Sequence, residues 1–179
     1  DNSNLLEDGN LFVAKFSDNG TGEWLPLTPE STGMKSKAEI AIHTRMAASA
    51  AGGTTMDRPE WVAANPLKTE AYVALTNNKN RGKKPNAGGD DTSVNGPNPR
   101  VDNKYGQIVR WTADKNDHAS SKFKWDIFAL AGNPSVHSGL NAGSKNINKD
   151  NMFNSPDGIK FDSQRRVEKE ITHEDRHQS

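Results

Sequence analysis

Cysteine is missing from the chain, which removes disulfides, thiolate metal ligands and a cysteine nucleophile from anything these residues do by themselves. Net charge is missing as well. Lys plus Arg and Asp plus Glu stand at 23 each among 179 residues, so no overall field favours nucleic acid or an anionic membrane surface, and neither partner is expected. No apolar run approaches the roughly 18 residues that span a bilayer. The opening Asp1-Asn2-Ser3-Asn4 has neither the basic nor the apolar segment of a signal peptide and no initiator Met. The chain is therefore expected to begin inside a longer polypeptide, with any targeting signal upstream. Apolar residues are scarce, at 32% with a mean hydropathy of −0.89. That is less than a self-contained domain uses to cover its core, and it favours a piece of something larger. Gly52-Gly53 and Gly88-Gly89 lack a following Lys-Ser or Lys-Thr, and no Gly-x-Ser-x-Gly occurs. Phosphate-loop and serine-hydrolase readings lose their support.

What the chain does contain is short β-strands in pairs. Leu11 to Phe16 and Glu23 to Leu27 flank the turn formers Ser17 to Gly22 and read as a hairpin. Lys35 to Ala51 reads as a helix, capped at Ser31 or Thr32, stopped by Gly52-Gly53, with Ile40, Ala41, Thr44, Ala47 and Ala48 on one side. Trp61 to Ala64 with Ala71 to Thr76, and Gln107 to Thr112 with Lys122 to Leu130, read as two more hairpins, followed by a strand Gly158 to Phe161. The fold class is thus mainly β: a partial β-propeller of about two four-stranded blades, too few to close, with one inserted helix and long loops. Residues 1–163 form this domain, and 164–179 a charged, disordered tail. The connections Asn77 to Tyr105 and Gly132 to Phe153 are too long to be idle, and read either as partly disordered or as ligand-carrying loops.

The most informative residues are Met56-Asp57-Arg58-Pro59-Glu60-Trp61. Proline biases the residue before it toward extended geometry, so Arg58 and Glu60 should leave one face of a strand. Their Cα atoms would then lie roughly 6.6 Å apart. There an Arg can grip an oxyanion while the Glu ligates a hard cation beside it. The plainer alternative is a strand-edge ion pair. Asp157, in Ser155-Pro156-Asp157-Gly158, is either a carboxylate presented at a sheet rim or an ordinary turn residue. Asn77 and Asn78 either donate amide oxygens or cap a loop. Asn146, Asn148 and Asp150 alternate like an EF-hand but lack its Gly and closing Glu. His173-Glu174-Asp175-Arg176-His177 matches the zinc-protease pattern H-E-x-x-H, yet its flanks have no apolar face to bury such a helix. It reads as a coincidence in a solvated terminus.

Taken in order, the Arg-Pro-Glu segment, Ala71 to Asn78, Tyr105 to Trp111, Phe123 to Phe128 and Ser155-Pro156-Asp157-Gly158 together resemble the PhoX family of bacterial alkaline phosphatases, from about Lys35 to Asp162. The helix Lys37 to Ala50 is similar to the family's too. The resemblance implies a periplasmic or secreted β-propeller enzyme that hydrolyses phosphate esters with calcium and iron. Arg58 would bind the phosphate as the catalytic and substrate-binding residue, Glu60 would ligate metal, and Asp157 is a second metal-ligand candidate. The family's iron-binding Cys has no counterpart here, and from Gln164 the apolar strand pattern lapses. The chain then holds part of a split site, its partners being the missing blades, and no phosphatase activity is expected of it alone. The other reading is a non-catalytic propeller segment that binds calcium or a protein through its long loops.

Overall fold

The computed structural model describes residues 9–86 and 89–162 and the backbone of 167–171. The chain is mainly β. A six-stranded antiparallel sheet runs in the order β1-β2-β6-β5-β4-β3, and a two-stranded sheet holds β7 and β8. The strands are β1 (Phe12–Phe16), β2 (Thr21–Pro26), β3 (Pro59–Ala64), β4 (Glu70–Leu75), β5 (Gln107–Ala113), β6 (Lys122–Leu130), β7 (Pro156–Phe161) and β8 (Val167–Ile171). Strands β3 to β6 form a four-stranded meander, the unit of a propeller blade. The β1–β2 hairpin extends its outer edge, pairing Thr21 to Glu23 with Lys122 to Lys124. Gly22 permits this, because a Cβ there would overlap the Phe123 ring. β7 starts the next unit and packs against β3 and β4. The architecture is a partial β-propeller, divided six and two rather than four and four.

The core explains why β4 reads as a continuous apolar run. Side chains alternate across a strand, and both faces of β4 are covered. Tyr72 and Ala74 join Ile108, Ala129, Phe153 and Ile159 on one side. Val73 and Leu75 join Phe16, Val109 and Phe123 on the other. Trp24, Trp111 and Trp125 close the second cluster through edge-on ring contacts.

Between β2 and β3 the helical segment differs from expectation. It is split into α1 (Pro29–Thr32), α2 (Lys37–Ile42) and α3 (Thr44–Ala50). Thr28 and Ser31 form a capping box for α1, and Gly33, at φ 71°, ends it. Ser36 caps α2, and His43, at φ −110° and ψ 39°, interrupts the helix before α3. Only Ile40 and Ala47 of the expected stripe are buried, against Leu27. Two residues give too little burial to hold one straight helix on the sheet.

In the connection from β4 to β5, read from its composition as either partly disordered or ligand-carrying, the described residues include a buried polar cluster. Asn78, Arg81, Asn98, Arg100 and Asn103 are all buried. At their centre lies Asp57, whose side chain and that of Arg81 are both 0% exposed. Its Oδ1 accepts from Arg81 Nε at 2.7 Å and Asn78 Nδ2 at 2.9 Å. Its Oδ2 accepts from Asn103 Nδ2 at 2.8 Å and Gln107 Nε2 at 3.3 Å. Arg81 spends its remaining nitrogens on the carbonyls of Ser93 and Thr55. Arg100 donates to the carbonyls of Gly106 and Ala131, tying in the β6–β7 connection. Burial pushes the Arg100 guanidinium down to about 10, leaving it charged at neutral pH. In this connection, hydrogen bonds within the chain thus supplement the apolar core of the sheet.

Within the segment expected to be a disordered tail, Val167–Ile171 forms β8, paired antiparallel to β7 from Phe161↔Val167 to Pro156↔Ile171. The H-E-x-x-H of His173 and His177 lies outside the described residues. Among the described residues no helix is long and apolar enough to cross a membrane.

Arg81→Met would leave the Asp57 carboxylate buried without its counter-ion. Urea denaturation should show a loss of about 3–5 kcal/mol, or outright failure to fold. A loss below about 1 kcal/mol, the size typical of an exposed pair, would show that the network is not what orders this loop.

Candidate active site

Arg58 follows the buried Asp57 directly, and its geometry differs from the extended conformation expected before proline. Its φ is +39°, the left-handed region that non-glycine residues rarely adopt. Three bonds hold it there. Its N–H donates to Met56 O at 3.0 Å, and its C=O accepts from Thr76 N at 3.3 Å. Its Nη1 donates to Asn77 Oδ1 at 2.7 Å. Backbone strain of this kind persists only where the surroundings over-determine it. Here the buried carboxylate before it and the start of β3 after it do so.

Glu60 is displaced from the expected geometry too. The β3–β4 register passes from Pro59↔Leu75 to Val62↔Val73, so Glu60 and Trp61 together oppose Ala74. This is a β-bulge, which re-aims the side chains it carries. Arg58 and Glu60 therefore do not share the face of a regular strand, because a left-handed residue and a bulge intervene. Nor do they form the plainer strand-edge pair. Glu60 is exposed, and among the described residues no ion pair joins it to Arg58.

Asp157 lies inside a strand rather than in a turn ahead of one, since β7 begins at Pro156. It too occupies a bulge. The register moves from Pro156↔Ile171 to Ile159↔Lys169, placing Asp157 and Gly158 opposite one residue of β8. Ser155 before it is 2% exposed at φ +46°. Its N–H donates to Tyr105 O at 2.7 Å.

Asn77 connects these segments, donating from Nδ2 to Ser155 Oγ at 2.9 Å while its Oδ1 holds Arg58. Asn78 is spent on Asp57 and on the Asn80 N–H. Both asparagines thus build the site rather than offer idle amide oxygens. Within the Asn146 to Asp150 alternation, Asn148 Oδ1 accepts from Asp150 N, and the neighbouring Asn151 Oδ1 accepts from Asn148 N.

Arg58 opens onto a cleft of about 920 Å³ lined also by Pro59, Asn77, Lys79, Arg45 and Ala48. Among the described residues its Nε and Nη2 have no acceptor, so that edge is available to an oxyanion. The far wall is α3, tied to the β4–β5 connection by Asp90. Asp90 Oδ2 accepts from Arg45 Nη2 at 2.6 Å and Oδ1 from Ser49 Oγ at 2.7 Å. Glu60 and Asp157 are oxygen donors of the kind hard cations prefer. Among the described residues, however, no three of His, Asp or Glu come together to hold a metal.

The sequence reading missed Asp57, Arg81, Asn98, Asn103 and Gln107. The one signal that could have found Asp57 is its place beside Arg58, since a carboxylate next to a strained functional residue is a natural anchor.

A family model described as alkaline phosphatase PhoX matches residues 1–179. The chain belongs to the PhoX family. The match extends beyond the Lys35 to Asp162 range expected from the motifs and takes in the stretch after Gln164, where the pattern had seemed to lapse. The structure of Pseudomonas fluorescens PhoX in complex with vanadate, a transition state analogue, is 45% identical to this chain, with a TM-score of 0.87. The similarity covers 96% of this chain and 31% of that one, so the chain spans about a third of the length of that PhoX. No curated protein matches.

The Ser49 hydroxyl and then the Arg45 guanidinium hold the Asp90 carboxyl below its ordinary value of 3.8. A depressed folded-state value stabilises the tie above the ordinary value, and this contribution is lost as pH falls through the folded value. The α3 wall should therefore stay fastened at neutral and alkaline pH and be released only in acid. A carboxyl carbon titration of Asp90 by NMR should have its midpoint below 3.8; a midpoint at or above that value would contradict the tie.

Proposed function

We propose that this chain is the phosphate-clamping segment of a metal-dependent alkaline phosphatase that hydrolyses phosphate monoesters and other phosphoesters at a site shared with the missing blades of the propeller. The observation that carries the reading is Arg58: pinned through backbone and Nη1, strained, and with its Nε and Nη2 edge free at the mouth of a cleft. A guanidinium edge matches two oxygens of a phosphoryl group. The vanadate bound by the similar PhoX is chemically a stand-in for that group.

In this reading the ester's phosphoryl oxygens meet Arg58, which gathers the charge that grows on them as the bond to the leaving group breaks. Because its position is fixed before substrate arrives, little reorganisation is needed at the reacting step. The leaving group lies along the cleft, where Lys79 and the small side chains of α3 leave room. Glu60 and Asp157, each set on a bulge at the head of a strand, would supply oxygens to calcium, with further donors from outside this chain. Iron belongs to the same proposal; with no cysteine here, any thiolate ligand must come from elsewhere. When bound, such metals would neutralise phosphoryl oxygens and position an oxygen nucleophile. Periplasmic or secreted placement is part of the same reading and rests on the family resemblance.

The 179-residue chain alone should leave p-nitrophenyl phosphate unhydrolysed. In the full-length holoenzyme, Arg58→Ala should lower kcat/KM by about 10²–10³. Arg58→Lys should recover only part, since a point charge cannot replace the planar fork. Glu60→Gln should reduce calcium content measured by mass spectrometry. Full activity of Arg58→Ala would reject the clamp, and turnover by the isolated chain would reject the split site.

A further inference from the structure

We propose that Asn77 is a positioning residue for the phosphate clamp, a single amide that fixes the Arg58 guanidinium and joins it to the strand carrying Asp157. The proposal rests on the reading of Arg58 as the clamp. Arginine only donates hydrogen bonds, so the Asn77 atom facing it at 2.7 Å must be the oxygen. The Asn77 nitrogen then necessarily faces Ser155 Oγ, at 2.9 Å. That hydroxyl donates onward to Asn154 Oδ1 at 2.7 Å. The two steps from Arg58 through Asn77 to Ser155 therefore have a determined direction.

The consequence for the clamp is geometric. Asn77 occupies Nη1 and leaves Nε with Nη2, a pair of parallel N–H groups suited to two phosphoryl oxygens. Without Asn77 the long Arg58 side chain, exposed at the cleft mouth, would regain rotamer freedom that phosphate would have to remove on binding. The other half of the amide reaches Ser155, buried and fixed by Tyr105 O, two residues ahead of Asp157. The clamp and the second carboxylate thus share one reference point, although they lie in different sheets.

The test uses the full-length holoenzyme with p-nitrophenyl phosphate as substrate and vanadate as inhibitor. Asn77→Ala should lower kcat about 10- to 100-fold and weaken vanadate inhibition by a similar factor, with a smaller change in KM. Asn77→Asp keeps the acceptor for Arg58 and should retain more activity than Asn77→Ala. If Asn77→Ala does not fold, as judged by circular dichroism, Ser155→Ala removes the far anchor and should shift the same two quantities in the same direction. If the folded variant stays within about twofold in kcat and vanadate inhibition while Arg58→Ala is inactive, the positioning role is overturned and the clamp stands. If Arg58→Ala is itself active, the clamp reading fails first.

Discussion

The ion pair between Asp57 and Arg81 is the constraint on which the rest of this structure depends. Two charges withdrawn fully from water repay their desolvation only when hydrogen bonds satisfy what remains of each. Here the carboxylate meets Asn78, Asn103 and Gln107 in addition to Arg81. Those partners come from the connection that follows β4 and from the first residue of β5. One carboxylate therefore closes a loop of nearly thirty residues onto the sheet, in a chain whose apolar content is too low for packing to do so. Satisfaction of the network demands a particular arrangement of backbone, which apolar contact alone does not.

The site inherits this rigidity. Arg58 is bonded to Asp57 covalently and, through Thr76 and Asn77, to the two residues that follow β4. Its left-handed backbone is unfavourable by itself, and more so before proline, which crowds the preceding residue. The strain is tolerable because both neighbours are already fixed. A residue held this way presents its guanidinium at one place, which suits recognition of an oxyanion better than a flexible surface arginine would.

The strands were legible because their pattern is local: β4 is apolar from Ala71 to Leu75, β6 was read to its exact bounds, and turn formers mark each hairpin. The PhoX family was legible from segments that include Arg58, Glu60 and Asp157, and the family match bears it out. Their geometry was not, for a physical reason. Proline before an extended segment is a local bias, and the tertiary bonds of Asp57, Thr76 and Asn77 override it. Asn and Lys in the β4–β5 connection look the same whether solvated or paired, since hydrogen bonding between distant residues leaves no period in the sequence. The charged Val167–Ile171 escaped notice as a strand because Glu and Lys dilute the apolar signal on which strand reading relies.

One regularity in the structure links fold to chemistry. β3 and β7 pack beside each other, and each carries its acidic residue, Glu60 or Asp157, in a bulge near its start. Each bulge follows a non-glycine residue at positive φ, Arg58 in one case and Ser155 in the other, and each of those residues precedes proline. The sequences Arg-Pro-Glu and Ser-Pro-Asp are thus the same backbone device used twice. Proline cannot donate to the ladder, so pairing at the head of each strand is irregular from the outset. The bulge then turns the next side chain away from the regular alternation. Asn77 spans the two devices, bonding to the residue before proline in both. Two adjacent strands that repeat this arrangement have their heads joined at Asn77 while the residues that follow continue into the core.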